Sequence, residues 1–88
     1  MAYFAKIENN IVSEVIVIND EVIENKDFPE SEPIGIAFCK SLYGEDTQWL
    51  QTSLESNFRG LYAGIGMVYN SEKDEFEYPY LTTPPVID

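Results

Sequence analysis

NFRGLYAGIGMVYNSEKDEFEYP, residues 57–79, decides how the rest of the chain is arranged. Leu61, Ala63, Ile65, Met67 and Tyr69 fall on one side of an extended chain, and Gly60, Gly64 and Gly66 fall on the other. Ser71, Glu72, Lys73 and Asp74 then reverse the direction, and Phe76 and Tyr78 carry it back. Alternation with period two around a charged reversal predicts a β-hairpin.

The same alternation opens the chain. Tyr3, Ala5 and Ile7 share one side, and Phe4, Lys6 and Glu8 the other. Asn9 and Asn10 follow, a pair that tolerates left-handed backbone and predicts a tight reversal. Residues 11–19, IVSEVIVIN, supply the partner strand, which Ser13 and Glu14 interrupt early. Residues 15–18 are apolar on both sides, which predicts a central strand covered on each face.

Residues 20–32 are dense in carboxylates and predict a surface loop, with a short turn at Val22 and Ile23. Ser31 is placed to cap a helix, and Glu32 and Pro33 suit its first turn. Ile34, Phe38 and Leu42 then recur on one face with Ala37 beside them, a stripe that predicts contact with a sheet. Gly44 is a natural stop, and Gly35 costs ~1 kcal/mol relative to alanine while permitting close packing. Residues 47–54, TQWLQTSL, predict a third strand with Trp49 on the side opposite Gln48, Leu50 and Thr52. Glu55, Ser56 and Asn57 make a turn before the hairpin.

These parts predict an α+β fold, a small antiparallel sheet in the order β-β-α-β-β-β with one helix packed on one face. Residues 1–79 form a single α+β domain. Residues 80–88, YLTTPPVID, have two prolines and no period, and predict an extended C-terminal tail. The sheet face away from the helix carries rings and glycines, and is expected to lie against another copy or another protein.

Composition narrows the chemistry. Eighty-eight residues supply one modest core. Hydrophobic residues make up 44% and aromatics 14%, with six Tyr and five Phe, so rings dominate whatever is buried. Apolar runs such as residues 15–18 are too short to span a bilayer. The opening MAYFAKIENN has neither a basic stretch nor a long apolar one, so a reducing compartment is expected. Cys39 is the only cysteine and histidine is absent, which excludes an internal disulfide, a conventional zinc site and Cys/His or Ser/His catalysis. The net charge of −11 opposes direct contact with nucleic acid.

Several residues invite a chemical role that a plainer one explains better. Asp20, Glu21, Glu24 and Asp27, and also Glu72, Asp74, Glu75 and Glu77, lack the alternating ligand spacing of a calcium loop. They read as solvated faces. A carboxylate pair for sugar hydrolysis needs a cleft that a domain this small hardly provides. Gly64-Ile65-Gly66 superficially resembles a phosphate loop but has a strand on both sides, so a bulge is expected. Cys39 is expected in the core. Arg59, the only arginine, reads as half of an internal salt bridge or as a polar anchor for a partner. Trp49, Tyr62, Tyr69 and Tyr78 divide evenly between ordinary packing and an interface.

The ordered segments FAKIENNIVSEVIVIND at residues 4–20, ESEPIGIAFCKSLYG at 30–44, TQWLQTS at 47–53 and NFRGLYAGIGMVYNSEKDEF at 57–76 resemble a family of small proteins encoded by tailed phages of marine bacteria, cyanophages especially. No single motif is chemically diagnostic; the ordered set carries the resemblance. It supplies no catalytic residues. It implies a virion setting, with synthesis in the bacterial host cytoplasm. The implied role is a non-enzymatic structural or accessory protein for capsid decoration, neck, tail or fibre attachment, acting through contacts with other phage structural proteins as a homo-oligomer or on a lattice. Partner contacts are then expected at Trp49, Arg59, Tyr62, Tyr69, Phe76 and Tyr78, with no catalytic residue, cofactor, metal, nucleic acid or membrane involved. The alternative is an acidic phage effector that inhibits a host protein, by mimicry of nucleic acid. A small enzyme working with carboxylates alone is a third reading.

Overall fold

A computed structural model describes residues 1–78 of the chain; the tail expected at 80–88 lies outside the described residues. The elements run β1 (Ala2–Glu8), β2 (Ile11–Ile18), α1 (Ser31–Tyr43), β3 (Gln48–Thr52), β4 (Val68–Asn70) and β5 (Glu75–Glu77). All pairings between strands are antiparallel, in the spatial order β3-β1-β2-β4-β5. The α+β architecture read from the sequence is therefore the architecture of the molecule.

The first hairpin follows from its turn. Asn9 and Asn10 adopt φ of 55° and 65°, the left-handed region that asparagine tolerates and that matches the twist of the flanking strands. Opposite the step from Lys6 to Ile7 the register skips Ser13, a bulge. The Ser13 hydroxyl donates to the Lys6 carbonyl (3.3 Å) and to Glu8 Oε2 (3.1 Å). Beyond that bulge Val12 turns to one face and Ile16 and Ile18 to the other.

Helix α1 ends at Gly44, whose N–H donates to the Lys40 carbonyl at 2.8 Å. Its inward face matches the expected Ile34/Phe38/Leu42 stripe only in part: Phe38 packs against the helix-side core. Ser31, Gly35 and Cys39 are buried, while Leu42 is 60% exposed. The cause is the Phe4 ring, which lies under the helix. A Cβ on Gly35 would stand 2.0 Å from Phe4 Cζ, so only glycine lets the two surfaces meet. Nor does Ser31 cap the helix. Glu30 occupies the cap position without a side-chain bond, and the buried Ser31 hydroxyl donates to Gln51 Oε1 on β3 at 2.6 Å.

The sheet is covered on both faces. On the helix side Ala2, Phe4, Ile18, Ile23, Cys39 and Trp49 form one core, so the turn at Val22–Ile23 contributes a buried residue rather than surface. On the other side Ala5, Ile7, Val12, Ala63, Met67 and Phe76 form a second core. The face expected to await a partner is thus covered by the chain's own residues 60–69 and by β5. Full burial of a ring such as Phe4 or Phe76 contributes about 1.5–3 kcal/mol.

The glycine-rich stretch is where strand reading fails. Residues 61–67 are irregular, and β4 begins only at Val68. Gly66 has φ +94°, closed to a regular strand of ordinary residues. Its N–H donates to the Val12 carbonyl (2.8 Å), and Met67 returns to Gly64 (3.1 Å). Ala63 and Met67 point inward while Leu61 and Ile65 point out, so the apolar set expected on one face is split. The reversal at Ser71–Asp74 does occur, pairing Val68 with Glu77, Tyr69 with Phe76 and Asn70 with Glu75.

Candidate functional site

Arg59 lies at the centre of the one extensive polar network among the described side chains. Its side chain is 10% exposed. Nη1 and Nη2 donate to the two carboxylate oxygens of Glu32, Nη1 also donates to the Gln51 carbonyl at 3.0 Å, and Nε donates to Asp74 Oδ1 at 2.8 Å. The Phe28 ring stands 5.1 Å from its Cζ and is itself stacked on Phe58 at 3.8 Å. Tyr69 OH donates to the same Asp74 oxygen. The Glu32 carboxylate also accepts the Gln51 N–H at 2.9 Å. Planar bidentate pairing is the strongest use of a guanidinium, and here it is shielded from water.

This network ties distant elements together. Glu32 comes from the first turn of α1, Gln51 from the outer edge of β3, and Asp74 from the turn before β5. The Arg59 carbonyl meanwhile accepts the Phe76 N–H at 2.9 Å, beside a parallel bridge from Gly60 to Phe76. One residue therefore spans β3 and β5, the two outer strands of the sheet. Desolvation opposes the Arg59 charge, but its hydrogen bonds to Glu32 and Asp74 outweigh that and raise its pKa. Desolvation likewise opposes the Asp74 charge. Hydrogen bonds from Tyr69 and Arg59, with the Arg59 charge, prevail and hold this carboxyl below its ordinary value. Burial, and then the bond to Asp74, push the Tyr69 hydroxyl up.

The expected contact residues divide. Trp49 is 3% exposed, its Nε1 donating to Thr47 Oγ1 at 2.8 Å and its ring packed against Tyr43. Phe76 is 1% exposed and tilted against Tyr69. Arg59 is enclosed as described. These three are interior groups and present no surface to a partner, because the second core takes Phe76, the helix side takes Trp49 and two carboxylates take Arg59. Tyr62 is half-buried, edge-on to Tyr3 at 6.0 Å, and Tyr69 is half-buried too. Tyr78 is 47% exposed.

What strand reading missed is Ile65. It is 72% exposed at the tip of the turn between Gly64 and Gly66, with Leu61 at 39%. Together with Tyr62, Met67 and Tyr78 they line a shallow, mostly apolar depression. The signal was present in the sequence: a large apolar residue between two glycines sits at a bend, where nothing behind it shields it.

Groups with reactive potential are otherwise engaged. Cys39 is wholly buried, and desolvation pushes its thiol up to about 12. Asp20 pairs with the N-terminal ammonium at 2.6 Å. Among the described residues no three acidic or cysteine side chains converge as a metal cage, and no helix is long and apolar enough to cross a membrane. No protein-family model, curated protein or solved structure matches the chain.

Proposed function

We propose that this protein is a non-enzymatic docking module that attaches to other phage structural proteins in the virion. The observation that carries the reading is the apolar depression around Ile65. A domain of this size gains little from leaving an isoleucine 72% exposed on a turn beside Leu61 and Tyr78. Contact with a partner removes that surface from water. The virion setting follows from the resemblance of the ordered segments to phage-encoded proteins, an analogy of sequence.

The alternative, an acidic effector that covers a basic groove of a host protein, draws on the exposed Asp20, Glu21, Glu24, Asp27 and Glu30 along one loop. The two readings differ in where the protein is found and in how salt acts. Mass spectrometry of purified phage particles tests the first: the chain is expected as a stoichiometric component, and Ile65→Asp is expected to remove it. Absence from particles, with salt-sensitive binding to a host protein instead, supports the effector reading.

A further inference from the structure

The sheet treats its strand edges unequally. At β3 the outward N–H and C=O of Gln51 are occupied by Glu32 and Arg59. At β5 the Phe76 N–H is taken by Arg59. Among the described residues, the edge of β2 away from β1 is paired only at its beginning, where Ile11 meets Val68 and residues 10 and 12 bond to residues 66, 67 and 69. Among the described residues no strand pairs with residues 14–18 on that side. They read EVIVI, and Val17 is 52% exposed. Five residues in a row make an open edge of roughly 17 Å, without proline or lysine to blunt it.

We propose that this edge of β2 docks an extended, basic strand from another protein. Backbone groups on an open edge recognise any extended chain, so charge selects among them. Glu14 supplies the charge. It has no ion-pair partner among the described residues, since Lys6, opposite it in β1, turns to Glu8 at 3.4 Å. Glu21, exposed, follows just beyond the end of the strand. A second copy brings a net charge of −11 against another −11, which disfavours self-pairing. A strand alternating β-branched residues with lysine matches both the apolar Val15–Val17 row and the Glu14 carboxylate. The site begins two residues beyond Val12, whose carbonyl accepts the Gly66 N–H, and does not depend on the virion setting.

The test uses the full, isotope-labelled chain and two synthetic peptides, Lys-Val-Thr-Val-Lys-Val-Thr-Val-Lys and the same sequence with Glu for every Lys. The basic peptide is expected to slow amide exchange at residues 14–18 and to bind about tenfold more weakly at high salt. Val17→Lys, at a half-exposed site, is expected to lose binding about tenfold. Glu14→Gln is expected to keep the amide protection while losing most of the preference for the basic peptide. Particle attachment and strand docking are measured in separate assays, so that loss of the first in Ile65→Asp and loss of the second in Val17→Lys read separately. The proposal is overturned by equal binding of both peptides, by protection mapped elsewhere, or by residues 14–18 already being protected in the free protein, as self-pairing requires.

Discussion

At the scale of single residues, Arg59 and Cys39 carry the clearest consequences. Arg59→Ala leaves the Glu32 carboxylate shielded and unpaired, with one donor lost to Gln51. Removing one member of a buried pair typically costs about 3–5 kcal/mol, a large part of the stability of a domain this small. Urea unfolding followed by the single tryptophan, Trp49, reads that loss directly, and Arg59→Lys is expected to lose less because it keeps the charge without the fork. Cys39 is expected to resist thiol reagents in the native protein and to react at once when the chain is unfolded, since burial both hides the sulfur and suppresses the thiolate. Rapid native labelling counts against the helix-side core described above. Both roles were legible: one arginine amid sixteen acids must find a carboxylate, and a cysteine in an apolar helix goes inside. Which carboxylates, and that the pair is enclosed, depended on contacts 27 and 15 positions apart that no local pattern encodes.

At the scale of elements, the helix–sheet contact depends on the absence of a side chain. Gly35→Ala drives a Cβ into the Phe4 ring and is expected to destabilise by about 1–3 kcal/mol, as overpacking does. Trimming the ring with Phe4→Leu in the same chain should return part of it, and a double-mutant thermal melt measures the coupling. The β4–β5 hairpin is held by Asp74, whose folded pKa lies below its ordinary 3.8. A depressed acid contributes stability that is complete above its unfolded value and is lost as pH falls through the folded one. Stability is therefore expected to drop on acidification below about pH 4, and Asp74→Asn to flatten that part of the profile. An unchanged profile in the variant removes Asp74 from this role. The order and type of elements could be read because alternation and turn chemistry are local. The phase of α1 could not, because large apolar residues dominate a periodicity argument while the closest approach is set by the smallest ones. The stretch at 61–67 is illegible for a related reason: alternate glycines satisfy a period of two without stating a direction for any side chain.

At the scale of the whole molecule, the sheet with a core on each face is a three-layer arrangement in miniature, one layer being an irregular segment. Composition hinted at this only through the excess of rings. A segment that folds back over a sheet leaves no periodic trace, so the covered face looked vacant in the sequence, and exposed apolar surface lies at Ile65 and Val17 rather than at the buried rings. Both cores share β1, so they are expected to melt together, with Trp49 fluorescence and far-ultraviolet circular dichroism giving one transition. The clasp that Arg59 makes between the outermost strands also bears on time. The two hairpins close over a few residues each, whereas the clasp requires helix, third strand and hairpin to be already in place. It is a lock on the exit more than a guide on the way in. Stopped-flow measurements on Arg59→Ala are expected to show faster unfolding with a refolding rate close to the parent's, so that this guanidinium governs how long each folded copy lasts.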